Sequence, residues 1–278
     1  MDVRLDVAVV NGKQPVQGLT KQDFLITDEG EPQTVRYFAH ETEPLNLLLL
    51  LDISGSMTKY ISQMAQTARE ALGVLRPRDR VAIMVFSKSA EIHQDFSDNI
   101  GESARQIAHA VEDHDVGAGT LINAAVVSAA KYINENAGPT GRRAILILTD
   151  NLSLNFQMTD RQTIAELNRA DTVMNGILVG RAIRPRPSAP PGQYENKDYT
   201  PADVFHLAEA TGGEAIRADQ PELTFREMVE RIRARYTLAY PEPQSTPGRF
   251  RHVRVTLTPE ALSRFPGAEV HAREGYFS

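Results

Sequence analysis

Leu45-Asn46-Leu47-Leu48-Leu49-Leu50-Leu51-Asp52-Ile53-Ser54-Gly55-Ser56 is the stretch on which the reading of this chain turns. Its first seven residues, five of them consecutive leucines, have the composition of a strand buried on both faces, as in a parallel sheet. The chain then leaves the sheet through one carboxylate and two hydroxyls at alternate positions. Such a D-x-S-x-S turn gathers hard oxygen groups at the carboxyl end of a central strand. Open sheets bind ligands at that end, and hard oxygens suit magnesium, calcium or manganese.

The residues that follow repeat the rhythm of strand and helix. A helix is expected from about Met57 to Leu75, with Ile61, Met64, Ala65, Ala68, Leu72 and Leu75 on one face. Arg80 to Ser87 reads as a strand and Ala90 to Phe96 as its partner. Helices are expected near Glu102 to Glu112 and Thr120 to Asn134, and buried strands at Ala144 to Thr149 and Val173 to Val179. Thr200-Pro201-Ala202-Asp203 has the form of a capped helix start, and Pro221 to Arg235 that of a last helix burying Phe225, Met228, Val229 and Ile232. Alternating strands and helices imply an α/β, doubly wound, Rossmann-like, mostly parallel sheet.

Both flanks differ from this middle. Val3, Leu5, Val7 and Val9 alternate with other residues, and short strands are expected around Phe24 and Ile26 and around Val35 and Tyr37. Tyr236, Leu238 and Tyr240, then Val253, Val255 and Leu257, alternate in the same way. Neither flank has enough strands to make a sandwich alone. We expect residues 1–43 and 236–278 to join into one small β-sandwich, with the α/β domain, residues 44–235, inserted between them.

The 278 residues are ample for a buried core, and 41% hydrophobic with 24% charged residues is ordinary for a globular chain. A formal net charge of −6 argues against general affinity for nucleic acid. Arg231, Arg233 and Arg235 cluster locally, in the pattern of a solvated helix face. With no cysteine, thiolate metal sites and disulfides are excluded, while the compartment stays open. No apolar run approaches a bilayer-spanning length, and no signal peptide is expected because Met1-Asp2-Val3-Arg4 runs straight into a strand. So abrupt a start would also suit a chain whose leader has been removed.

Two further segments belong with Asp52. Gly117-Ala118-Gly119-Thr120 offers a hydroxyl at the opening of a helix, and Asp150 ends the strand Ala144 to Thr149 at the same sheet edge. Asp52, Ser54, Ser56, Thr120 and Asp150 would thus reach one crevice from three segments. The competing reading, that Asp52 and the serines only cap the next helix, accounts for the first segment but not the other two.

This constellation resembles the metal-ion-dependent adhesion site of the von Willebrand factor A domain family, over about residues 44–235. The flanks resemble, more loosely, those of bacterial proteins related to that family, down to Arg273-Glu274-Gly275-Tyr276-Phe277. The resemblance implies that Ser54, Ser56 and Thr120 coordinate a cation, Mg²⁺ or alternatively Ca²⁺ or Mn²⁺, with Asp52 and Asp150 acting mostly through bound water. Neutral hydroxyls leave such an ion electron-poor, so it attracts a Glu or Asp carboxylate from a protein partner. It further implies a location outside the cytoplasm, periplasmic or secreted, and a shift of helix Pro221 to Arg235 that couples the site to the sandwich. Two positions depart from the family pattern. Asn151 stands where glycine is usual, and asparagine best replaces glycine if φ is positive. Ala118 separates two glycines that are often adjacent.

The expected function is therefore adhesion-type binding, not catalysis, with a passive scaffold or a Mg-dependent hydrolase as alternatives. Asp52-Ile53-Ser54 lacks the second aspartate, at Ser54, of a haloacid-dehalogenase-like phosphatase, and no G-x-S-x-G, H-E-x-x-H or P-loop pattern occurs. His109, Glu112, Asp113, His114 and Asp115 read as a polar helix end. The proline-rich connector Arg181 to Tyr199 starts at the same sheet edge as the metal and reads either as a solvated connector or as a segment that shapes partner choice beside the ion. Gly119, Asn151, Arg184 and Tyr194 are therefore the candidate ligand-contacting residues.

Overall fold

A computed structural model of the chain describes residues 2–110, 119–153, 158–180, 182, 184 and 202–278. The first flank supplies β1 (Asp2–Asn11), β2 (Gln14–Pro15), β3 (Phe24–Asp28), β4 (Glu31–Gln33) and β5 (Tyr37–His40). The central unit then runs β6 (Leu45–Asp52), α1 (Thr58–Leu72), β7 (Arg80–Phe86), β8 (Ala90–Ser97), α2 (Ile100–His109) and α3 (Ile122–Asn136). It continues with β9 (Arg142–Thr149), α4 (Asp160–Arg169), β10 (Val173–Leu178), α5 (Val204–Ala210), β11 (Ala215–Arg217) and α6 (Pro221–Arg233). The second flank adds β12 (Tyr236–Pro241), β13 (Phe250–Leu257), α7 (Pro259–Arg264), β14 (Glu269–His271) and β15 (Gly275–Phe277).

The central sheet has the order β11-β10-β9-β6-β7-β8, and all neighbours are parallel except β8, which runs antiparallel to β7. The leucine run is its middle strand, buried at every position. Because side chains alternate between faces, Leu45, Leu47, Leu49 and Leu51 pack under α1, α2 and α6, against Ile61, Met64, Ile107, Phe225 and Met228. Leu48 and Leu50 pack on the opposite face against Ile122, Val126 and Ile133 of α3 and against Leu167 and Leu207. Each of these leucines contributes about 1.5–3 kcal/mol by burial. The two-faced core forces the next residue, Asp52, to the carboxyl edge of the sheet.

Strands from the two flanks interleave. β1 pairs antiparallel with β12, and β12 with β5, in the sheet β14-β1-β12-β5, while β13 pairs with β3 in the sheet β15-β13-β3-β4. Their inner faces share one core, with Leu5, Val7, Phe24, Ile26, Tyr236, Leu238 and Val255. Fully buried Asp28 accepts from the hydroxyls of Tyr240 (2.8 Å) and Tyr276 (2.9 Å) and from Arg251 Nε (2.8 Å), which satisfies its charge.

Several expectations are corrected. α1 stops at Leu72, before Gly73, so Leu75 packs on the core from a turn. Helix α5 opens at Val204, where the Asp203 side chain accepts from His206 N at 3.1 Å; Thr200 and Pro201 lie outside the described residues. Arg231, Arg233 and Arg235 are not solvated: all three are buried. Arg231 meets Glu214 and Glu227, Arg233 meets Asp79 at 2.8 Å, and Arg235 meets Asp6 of β1. Glu227 sits four residues before Arg231 on the same helix, but Glu214, Asp79 and Asp6 lie outside it, so helix periodicity alone could not reveal the burial.

Candidate metal centre

At the carboxyl edge of β6, Asp52 is fully buried and held by two donors. Its Oδ1 accepts from Ser54 N at 3.0 Å, and its Oδ2 accepts from the Thr149 hydroxyl at 2.8 Å. Thr149 ends the adjacent strand β9, and the next residue, Asp150, turns its Oδ2 toward the Ser56 hydroxyl, which donates at 2.8 Å. Ser54 and Ser56 place their hydroxyl oxygens 3.4 Å apart. Two carboxylates and two hydroxyls from two chain segments therefore converge.

Thr120 reaches this edge by a different route. The Ser87 hydroxyl, just beyond β7, donates to the Gly119 carbonyl, and the Ser153 hydroxyl, just beyond β9, donates to the Thr120 carbonyl at 2.9 Å. Since β6 lies between β7 and β9, residues 119–120 are strapped across the end of the strand that carries Asp52. Ser153 also accepts from Ile122 N at 3.1 Å and so fixes the start of α3. Ser87, Thr149 and Ser153 brace the candidate site, and the sequence did not single them out. Their only signal was a hydroxyl at, or within a few residues of, the end of a central strand.

The remaining candidates divide. Gly119 is exposed with φ +119°, a conformation that suits glycine. Asn151 has φ +59° and is buried; its N–H donates to Thr149 Oγ1 at 3.1 Å and its Oδ1 accepts from Val204 N at 3.4 Å. It braces the loop against α5 and offers little surface to a partner. Arg184 is paired with Glu209 and lies over the Phe205 ring, and the structure does not bring it to the oxygen cluster. Tyr194, most of the connector 181–199, Gly117, Ala118, and Glu112 to Asp115 lie outside the described residues.

The donor set fits a hard cation. No lysine or arginine pairs with Asp52 or Asp150 among the described residues, although both carboxylates are buried. Burial pushes the Asp52 carboxyl above its ordinary range, and the like charge of Asp150 adds to this, while the bonds from Ser54 and Thr149 offset part of it. Buried negative charge without a protein counter-charge is costly, and a divalent cation would relieve it. Among the described residues no group of three or more His, Cys, Asp or Glu side chains could hold a metal, so a cation here would depend on hydroxyls as well.

A model of the von Willebrand factor type A domain matches residues 47–152. Among solved structures, an aerotolerance-related membrane protein from Bacteroides fragilis is 18% identical, with a TM-score of 0.50, covering 68% of this chain and 98% of that one. Proximal thread matrix protein 1 from the mussel byssus, solved with a zinc-occupied MIDAS motif, is 12% identical with a TM-score of 0.51; the match covers 69% of this chain and 49% of that one. The chain thus spans about half the length of the mussel protein, and at these identities the likeness is one of fold. No curated protein matches the sequence. Among the described residues no helix is long and apolar enough to cross a membrane.

Proposed function

We propose, from the match of residues 47–152 to the von Willebrand factor type A domain and from the oxygen cluster at the end of β6, that the protein binds a partner protein through a divalent cation. Ser54, Ser56 and Thr120 would hold the ion directly, and Asp52 and Asp150 would balance its charge from behind. When bound there, a Mg²⁺ ion supplies an electrophilic position for a Glu or Asp carboxylate of the partner. Calcium and manganese are the alternatives for the same oxygens.

The observation that carries this reading is the approach of Ser56 to Asp150 at 2.8 Å beside a fully buried Asp52 that has no basic partner among the described residues. The turn Ser54 to Ser56 leaves the sheet partly exposed, so the hydroxyl side of the cluster is open to an incoming acid while the carboxylate side is closed. An extracytoplasmic location belongs to the same proposal, and cell fractionation tests it.

The decisive experiment titrates Mg²⁺, Ca²⁺ and Mn²⁺ into the full chain and into Asp52→Ala and Ser56→Ala, with heat and thermal shift as readouts. Saturable binding lost in both variants supports the reading. Capture of a partner from the source cells should then be reversed by EDTA and weakened by Asp52→Ala. Capture indifferent to both would favour the passive scaffold, and absence of any cation effect would overturn the metal assignment.

A further inference from the structure

The base sandwich has an unfinished edge. β13 pairs with β3 from Val253 to Leu257 on one side, but on the other side β15 meets only Phe250, Arg251 and His252. Main-chain groups alternate sides along an antiparallel strand. His252 O accepts from Glu29 N, and Thr258 N donates to Asp23 O, so the even positions face β3. Val253 N faces the other way and is met by Glu274 O at 2.8 Å. Val255 and Leu257, two and four residues on, turn their N–H and C=O groups to that same side, where no strand of the described residues pairs with them.

What lies there is a cleft of 780 Å³ that runs between β13 and β14 and over the outer face of β13 as far as Thr27 and Gly30. Val253, Val255 and Leu257 border it on one side and Ala268, Val270 and Ala272 on the other. Leu262 of α7 closes one end and is 43% exposed, an apolar side chain left facing the opening. Arg254 projects from the outward face of β13 beside the cleft, is exposed, and pairs with no acid among the described residues.

We propose that this slot accepts an extended segment of a partner polypeptide, which adds as a strand to the free edge of β13 and lies end to end with β15. Beyond Val253, the four positions from Arg254 to Leu257 give it about 13 Å of edge. The occupant is fixed by the face each cross-strand neighbour occupies. Residues opposite the inward valines are β-branched and apolar, packing on Val270 and Ala268. The residue opposite Arg254 is acidic. This surface is separate from the metal centre and does not depend on a cation.

The test uses the full chain and a synthetic peptide of alternating valine and glutamate, eight residues long, compared with its valine–lysine counterpart and with forms N-methylated at every second residue. Fluorescence anisotropy reads affinity, and hydrogen exchange reads the Val255 and Leu257 amides. The glutamate peptide should bind, slow exchange at those two amides, and bind equally well in EDTA. Arg254→Glu, an exposed change with the fold checked by thermal unfolding, should weaken it about tenfold and favour the lysine peptide. At least one N-methylated frame should lose binding. Equal affinity for all peptides, or exchange at Val255 and Leu257 unaffected by a bound peptide, overturns the proposal. Self-association of the chain that Arg254→Glu abolishes would instead assign the slot to a second copy and overturn the partner assignment.

Discussion

Arg142 and Asp6 meet at 2.9 Å although 136 positions separate them. Arg142 opens β9 of the central unit, and Asp6 lies in β1 of the base. The same guanidinium donates to the carbonyls of Ile232, of Arg233 (3.0 Å) and of Arg235 (3.3 Å), and so caps the carboxyl end of α6. Asp6 also receives Arg235. One carboxylate therefore balances two buried arginines at the joint of the two units.

Replacing Asp6 with alanine strands both cations, and a broken buried pair of this kind costs about 3–5 kcal/mol. Urea unfolding of Asp6→Ala should show that loss. Burial alone would raise the Asp6 carboxyl, but the charges and hydrogen bonds of Arg142 and Arg235 bring it below its ordinary value. Its stabilisation is therefore complete above the unfolded-state value, about pH 4, and disappears as the pH falls through the lower folded value. Wild type should lose stability over that acid range more steeply than Asp6→Ala.

Asp52 has the opposite sign. Its carboxyl is raised in the cation-free protein, so its protonated form is favoured by folding and ionisation at neutral pH weakens the fold. Asp52→Asn should raise the melting temperature in EDTA, by roughly 2–4 °C for each kcal/mol of relieved charge burial. In Mg²⁺ the order should reverse, because the variant gains nothing from the ion. A variant less stable than wild type in both solutions would count against an uncompensated Asp52.

At Asn151 the left-handed φ of +59° and the bond to Val204 N can be separated. Asn151→Gly keeps the backbone and should lose under about 1 kcal/mol. Asn151→Ala loses the bond and incurs a further 1–2 kcal/mol of left-handed strain. Denaturation midpoints of the two variants measure the difference.

The family resemblance implies that α6 shifts when the site engages a ligand. Here its last turn is held by Arg142, by Arg233 on Asp79 and by Arg231 on Glu214. We expect α6 to keep its position on addition of Mg²⁺ and to move only when Arg142→Ala removes the clamp. The chain has no cysteine, so spin labels can be introduced singly at the exposed Leu223 and Leu152 and their separation measured. A change in wild type on Mg²⁺ addition would show that the clamp yields.

The sequence carried much of this fold because its strongest signals are local. The run Leu45 to Leu51 can satisfy both faces of a sheet only from its middle, and that fixes where Asp52 emerges. The oxygen donors could be named from strand ends and turn residues. What could not be read was the scaffolding around them: Ser87 and Ser153 bind carbonyls far along the chain, and no spacing rule reports such bonds. The arginines at the end of α6 and just beyond it misled for the same reason. A charged stripe reads as solvated unless the distant acids are known, and here Asp6, Asp79 and Glu214 bury it.

Tyr236 and His40 are partners in one ladder, with their rings stacked 4.2 Å apart. The chain departs for the central unit just after one of them and returns at the other. To the sandwich, the whole inserted unit is topologically a hairpin loop that leaves and returns beside one clasp. Any swivel about that clasp must tear the arginine joint, so the polar seam, more than the peptide links, dictates whether the two halves turn as one object.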